Sequence, residues 1–410
     1  MGAAGSGSCE PGEEARTMSK RPYGEGSIDQ RGKDLWRLRY RVNGKQFTDY
    51  VHGTVTEARR ELRRRLKAGD DGAHVAPDKI TVAKWIEEWL AGLQVGARTA
   101  ERYAQLMRIH VIPHLGEFRL QRLTANDVKA CYKKLTGKIS PRTRRHISPR
   151  TRHHVHVVLG TCLREAVRTE LLSRNPLDNA RAPTVPDEEE VEALGSDKLA
   201  RLLAGFEGHP LYVFVATAIA TGARRNELVA LRWADVDFEQ RTVRIARTVE
   251  ATKAHGKRLK PPKTRRGTRT ITIDAGLVAL LRTERERHLR VMAGIPDGAE
   301  ADLSLVRLPD EALLFPAPGG DLCRLRDDHA ITRGFVRRAT ALGFPRLRLH
   351  DLRHTHGSRL IKAGLPITAV AARLGHSPAV LLSIYAHDIK DAEGVRLAAD
   401  IVASLAVLKP

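Results

Sequence analysis

Six polar residues in the C-terminal half stand where chemistry can be done: Arg224, Lys263, His350, Arg353, His376 and Tyr385. Arg224 lies in TGARRNELVALRWADVD, at the break that Gly222 makes after an apolar run. An arginine beside a buried helix end can grip an anion or pair with Glu227 three residues on. His350 and Arg353 stand three residues apart in LRLHDLRHTHGSRLIKAG (347–364), and so share one helical face. In LPITAVAARLGHSPAVLLSIYAHD, Gly375 ends a helix, His376 occupies the turn, and Ser377-Pro378 cap and open the next. Tyr385 follows two turns into that helix. A lone tyrosine on an apolar helix is a core residue by default. The HDLRH stretch also has the i, i+4 histidine spacing of a zinc-protease helix, with Asp351 where the longer glutamate base is needed.

The lysine is the least determined of the six. RTVRIARTV (241–249) and TRTITID (268–274) alternate like strands, joined by the basic connection KAHGKRLKPPKTRRG with Lys253, Lys257, Lys260 and Lys263. Only Lys263 abuts the second strand, after Pro261-Pro262.

The elements upstream divide the chain. Residues 21–51 read as short strands, with Trp36, Leu38 and Tyr40 alternating with Arg37, Arg39 and Arg41. Asn43-Gly44 marks a tight turn, and Thr54 or Thr56 caps a helix ending at Gly69. This arginine-rich unit is a DNA-groove reader or a solvated basic face. After the linker DDGAHVAPDK come four helical patterns: TVAKWIEEWLAGL, with Val82, Trp85, Ile86 and Leu90 on one face; ARTAERYAQLMRIHVIPHLG; TANDVKACYKKLTG, capped by Thr124; and TRHHVHVVLGTCLREAVRTELL. A tandem repeat, ISPRTRRH (139–146) and ISPRTRHH (147–154), puts Arg142, Arg144, Arg145, Arg150 and Arg152 around a helix start. It is a phosphate-binding feature or a lengthened loop. The acidic, proline-containing PTVPDEEEVEALGS (183–196) is a second linker, after which Ser196 caps the first helix of a larger domain. VRLAADIVASLAVL (395–408) is an amphipathic tail helix.

Bulk properties name the partner class. Lys plus Arg number 70 against 48 for Asp plus Glu, a net charge of +22. Such an excess suits a polyanion, because each neutralised phosphate releases counterions. No stretch approaches the roughly 20 apolar residues that span a bilayer. Cys9, Cys131, Cys162 and Cys323 are scattered, with neither a disulfide framework nor a zinc-ribbon pattern, which fits a reducing, cytoplasmic setting. The first 20 residues read as a disordered tail, and Met18 is an alternative start.

With these pieces in order, the chain resembles the tyrosine recombinase or phage integrase family, through TGARRNELVALRWADVD, PPKTRRGTRTI, LHDLRHTHGSRLIKAG and LGHSPAVLLSIYAH, spanning most of 194–390. The resemblance implies a multidomain fold. A small α+β arm-type DNA-binding domain (21–72) precedes an all-α SAM-like core-binding domain (77–182). A mainly α catalytic domain with a small antiparallel sheet and the tail helix (194–410) follows. It implies that Arg224 and Arg353 grip the scissile phosphate, that His350 assists proton movement, and that His376 lies against the phosphate. Lys263 protonates the departing 5′ oxygen and Tyr385 is the nucleophile, forming a 3′-phosphotyrosyl intermediate. The implied activity is site-specific cutting and rejoining that integrates or excises a mobile element, with no cofactor, no metal and no ATP. The implied partners are double-stranded DNA attachment sites, further copies in a homotetramer on DNA, and a directionality factor or host DNA-bending protein. The tail helix docks on a neighbouring subunit or on its own domain. Two competing readings are a regulatory DNA-binding protein that keeps the fold and a topoisomerase-like relaxing enzyme.

The chemistry suits the residue types. Attack on a phosphodiester builds charge on the non-bridging oxygens, which planar guanidinium groups meet bidentately. A tyrosine of pKa near 10 needs a base or a positive field, and the leaving oxygen needs an acid.

Overall fold

The computed structural model describes residues 26–42, 44–70, 75–76, 78–139, 144–186, 193–296 and 298–389. The expected tail (1–20), Met18, Asn43, Arg142 and the tail helix (395–408) lie outside the described residues. The chain divides into two units, residues 1–186 and 187–410.

The first unit opens with an antiparallel sheet of β1 (Ser27–Gly32), β2 (Leu35–Val42) and β3 (Lys45–His52), followed by α1 (Val55–Asp70). Strand alternation sends Leu38, Tyr40 and Val42 into a core with Ala58 and Leu62 of α1. Arg37 and Arg39 take the other face, where Asp29 pairs with them at 2.6 and 3.6 Å and with Arg31 at 2.9 Å. Thr54 is the helix cap: its backbone N–H donates to Glu57 at 2.7 Å, and the Glu57 N–H donates to its hydroxyl at 3.3 Å.

The helices α2 (Val82–Ala91), α3 (Ala97–Leu106), α4 (Ile112–Leu115), α5 (Ala125–Gly137) and α6 (Pro149–Arg168) enclose a second core. Of the expected face of α2, Val82, Trp85 and Ile86 are buried. The expected second helix is interrupted by a π turn, Met107–Val111. Pro113 lacks the N–H that would bond the Ile109 carbonyl one turn back, and the Lys138 ammonium donates to that carbonyl instead at 2.9 Å. The fourth helix begins at Pro149, two residues before the expected start, because Ser148 caps it. The two repeat copies part company at their first residue: Ile147 is buried and Ile139 is 55% exposed.

The second unit runs α7 (Ser196–Ala204), α8 (Tyr212–Thr221), α9 (Arg225–Leu228), β4 (Val236–Asp237), β5 (Thr242–Ile245), β6 (Thr248–Thr252), β7 (Gly256–Lys260), β8 (Arg269–Thr272) and α10 (Ala275–Ala293). It continues through α11 (Asp328–Ala341), α12 (Asp351–Lys362), α13 (Ile367–Leu374) and α14 (Pro378–Ile389). Its strands form two antiparallel sheets, β4-β5-β8 and β6-β7. Two expectations need correction. Ser196 is the first helical residue and not the cap; Gly195 takes the cap position, and the Ser196 hydroxyl accepts from Arg359 at 2.9 Å. The basic connection is not a plain loop either. Its middle forms β7, because buried Glu250 on β6 accepts from Arg258 at 2.9 Å and from Lys260. Among the described residues, no single helix is long and apolar enough to cross a membrane.

Candidate active site

The site is organised around helix C-termini. α8 is ended by Gly222 at φ +61° and α13 by Gly375 at φ +67°, a left-handed region that a side chain adopts only with strain. Helix ends leave carbonyls without intrahelical partners and carry partial negative charge. Arg353, near the start of α12 and only 2% exposed, answers both. Its Nη1 donates to the Gly222 carbonyl at 2.8 Å and its Nη2 to the Leu374 carbonyl at 2.5 Å. Nη2 also donates to Nε2 of His376 at 2.9 Å. Burial, then the neighbouring Arg224, lowers the Arg353 pKa to about 9, so the guanidinium stays charged at neutral pH.

His376 accepts that bond in the turn after α13. Burial first, then Arg353 and Arg224, push its pKa down to about 4, so it is neutral near pH 7. With Nε2 accepting, the proton belongs on Nδ1, which has no partner among the described residues. Arg224 is more open, with its side chain 38% exposed. Its Nη1 donates to Glu227 at 2.8 Å and its Nη2 to the Gly375 carbonyl at 3.4 Å. Glu227 is buried, which opposes its charge, yet Arg269 and Arg224 outweigh burial and hold its carboxyl below the usual range.

His350 and Tyr385 lie along α12. His350 is exposed at the helix start. The protein packed behind it, then His354 and Arg353, lower its pKa to about 4. The His354 ring stands perpendicular to that of His350 at 4.8 Å and 5.9 Å from the ring of Tyr385. Asp351, the residue of the zinc-helix pattern, is 1% exposed and takes the Arg348 backbone N–H at 2.7 Å and its guanidinium at 2.9 Å. Its carboxylate is taken up by Arg348 in the turn that leads into α12.

Tyr385 is 2% exposed and interrupts α14 with non-helical angles, φ −115° and ψ 18°. A Cβ on Gly357, one turn beyond Arg353, would lie 2.5 Å from the Tyr385 hydroxyl oxygen. Only glycine at 357 lets the hydroxyl pack there. Lys263 is exposed, before the turn Arg265–Gly267, with no partner among the described residues. The other lysines of its connection are engaged: Lys257 with Asp327 at 3.4 Å, Lys260 with Glu250, and Lys253 also.

The structure thus gathers Arg224 and Arg353 on the carbonyls that end α13, bonds Arg353 to His376, and sets His350 and Tyr385 beside them through His354. It leaves Lys263 outside that bonded set. Sequence reasoning missed Arg269, His354 and Gly357, and took Glu227 only as an alternative partner for Arg224. The available signals were the i, i+3 spacing of Arg224 and Glu227 and the i, i+4 spacing of His350 and His354.

Two family models match the chain. One, described as the phage integrase family, covers residues 192–391, and another, a phage integrase N-terminal SAM-like domain, covers residues 81–136. An integrase from Streptomyces ambofaciens is 27% identical over 391 residues, 90% of this chain and 94% of that protein. A protein named tyrosine recombinase XerC-like, from Caldanaerobacter subterraneus, is 23% identical over 87% of this chain and 93% of its own. Among solved structures, the Tn1549 transposon integrase in complex with circular intermediate DNA superposes with a TM-score of 0.62 at 19% identity, over 78% of this chain and 99% of that one. A lambda integrase dimer bound to a core site reaches 0.50 at 15% identity, over 89% of this chain and 96% of that one.

Proposed function

We propose a division of labour within this site from one premise: the chain belongs to the phage integrase family of tyrosine recombinases. It is a site-specific recombinase that breaks and rejoins DNA. The scissile phosphate sits on Arg224, Arg353 and His376. Tyr385 attacks phosphorus through its hydroxyl oxygen, with its proton passing toward His350. The bond to the 5′ oxygen breaks, Lys263 protonates that oxygen, and a 3′-phosphotyrosine remains. Attack by a 5′ hydroxyl of another strand reverses each step, so bond energy is kept and no nucleotide is consumed.

One observation carries the reading: Arg224 and Arg353 both donate to the carbonyls that end α13, and Arg353 also donates to His376 in the turn beyond. Preorganised donors of this kind stabilise charge that develops in the transition state. Neutral His376 adds an N–H, and the open side of Arg224 admits a phosphate. Attack requires Tyr385 to leave its packing against Gly357, and the break in α14 at that residue is where the backbone gives.

The other assignments follow from the same premise. The substrate is double-stranded DNA, in keeping with a net charge of +22. Residues 21–72 bind arm-type sites through the arginine face of their sheet, and 77–182 hold the core site. The domain 194–410 does the chemistry within a tetramer on DNA. The lambda integrase dimer on its core site supports a multimer, and the likeness to the Tn1549 transposon integrase supports movement of a mobile element.

The test is a nicked suicide duplex carrying the core attachment sequence mapped from the element's own chromosomal junction. The wild type is expected to accumulate a covalent protein–DNA adduct and Tyr385→Phe none. Absence of adduct from the wild type on that duplex overturns the reading in favour of a regulatory protein.

A further inference from the structure

Arg269 is a deeply engaged cation of the site to which the reading above gives no role. Its side chain, on β8, is 6% exposed. Its Nη2 donates to Glu227 at 2.8 Å, its Nε to the Arg373 carbonyl at 2.6 Å, and its Nη1 to the Gly267 carbonyl at 3.0 Å. Each acceptor leads to a different working part. Glu227 holds Arg224, Arg373 lies in the last turn of α13 before His376, and Gly267 closes the segment that begins with Lys263.

That segment is tightly folded. The Gly267 N–H donates to the Thr264 carbonyl at 2.9 Å, and a Cβ on Gly267 would lie 2.4 Å from Cβ of Pro262. It also abuts the turn of His376: a Cβ on Gly375 would lie 3.0 Å from the Arg266 carbonyl and 3.1 Å from Nη1 of Arg269. One rigid planar fork therefore fastens together chain segments that lie 42 and 104 residues apart from it.

We propose that Arg269 is a positioning residue that sets the Lys263 segment against the phosphate grip of Arg224, Arg353 and His376. The departing oxygen then meets its acid as soon as the bond to phosphorus breaks. The proposal rests on the reading of Lys263 as that acid. Arg224 is the less dependent of the two partners, because Glu227 keeps its own bonds from the Arg224 side chain and backbone N–H. The Lys263 segment reaches Glu227 through the guanidinium of Arg269.

The experiment uses the full chain with Arg269→Lys and Arg269→Gln on the nicked duplex. The duplex is made once with the natural 5′ bridging oxygen at the scissile phosphate and once with sulfur there. Sulfur departs as a thiolate and needs no proton. Both variants are expected to melt lower than the wild type, because the acceptors of Arg269 are buried, yet to stay folded at the assay temperature. They are expected to form adduct about 10²-fold more slowly on oxygen, the size of a lost general acid. Sulfur is expected to restore them to within about threefold of wild type on that same substrate. Equal slowing on oxygen and sulfur overturns the proposal, as does a wild-type rate on oxygen. Unfolding of both variants at the assay temperature overturns it too, because the residue is then purely structural. Lys263→Ala reports on the premise separately. If sulfur fails to rescue Lys263→Ala, the acid assignment falls and the proposal with it. If Lys263→Ala is rescued and the Arg269 variants are not, the proposal alone falls.

Discussion

Two arginine-rich regions of this chain use the same side chain in opposite ways. In the catalytic unit, Arg353 and Arg269 are almost wholly buried, and their donors end on helix carbonyls, Glu227 and His376. On the N-terminal sheet, Arg37 and Arg39 are 22% and 44% exposed at their side chains and share one carboxylate, Asp29. Burying a guanidinium is tolerable only where its donors have acceptors, and the acceptors then fix its geometry. Such a group is set for a transition state before substrate arrives. An exposed arginine keeps its rotamers and pairs with phosphate on arrival, which gives affinity and salt dependence but little rate.

Arg353→Lys gives the sharpest break. Lysine keeps a charge and loses the fork, so the Gly222 and Leu374 carbonyls and His376 cannot all be met. Adduct formation should fall about 10²–10³-fold, while binding to the same duplex moves little. Each buried carbonyl left without a donor costs about 1–3 kcal/mol, which a melting curve will register. Equal losses in binding and rate would place Arg353 with the exposed arginines.

Acid separates the two regions by a smaller margin. His350 and His376 titrate near 4 in the folded chain against an ordinary value near 6.5. Their neutral forms are native, so the unfolded chain takes up protons first as pH falls. Their contribution to stability is complete above about pH 6.5 and drains away as pH drops toward 4. Melting of the catalytic unit, followed by a probe within residues 187–410, should fall several degrees over that window. Adduct formation should stay level from pH 8 to 6. A titration of rate centred near 6.5 would show that one of these histidines works in its charged form.

The fold was legible wherever local chemistry decides it. Gly222 and Gly375 end helices because each needs a left-handed backbone, and Thr124 and Ser377 cap helices through their own side chains. The β7 strand was not legible, because its cause is Glu250, a buried carboxylate on the facing strand that collects Arg258 and Lys260. The π turn was hidden likewise, since Lys138 supplies from 29 residues away the donor that Pro113 lacks. In the site, residue types and order pointed to Arg224, His350, Arg353, His376 and Tyr385. Arg269 reads locally as one more strand residue in TRTITID. Nothing nearby in sequence says that its guanidinium turns inward to a carboxylate 42 residues away.

The smallest effect belongs to the exposed region, and it tests whether that sheet face meets DNA at all. Asp29 neutralises part of the charge that Arg31, Arg37 and Arg39 present. Exposed ion pairs hold about 0–1 kcal/mol, so releasing these arginines gives at most about a fivefold change in affinity. Asp29→Asn should tighten binding to an arm-type duplex by a few-fold, measured by fluorescence anisotropy at two salt concentrations. The dependence on salt should steepen, because the released arginines add phosphate contacts and each displaces a counterion. Weaker binding with an unchanged salt slope would mean that the acceptor orders the arginines instead of competing with phosphate. The sheet would then resemble the catalytic centre, where carboxylates such as Glu227 hold arginines in place.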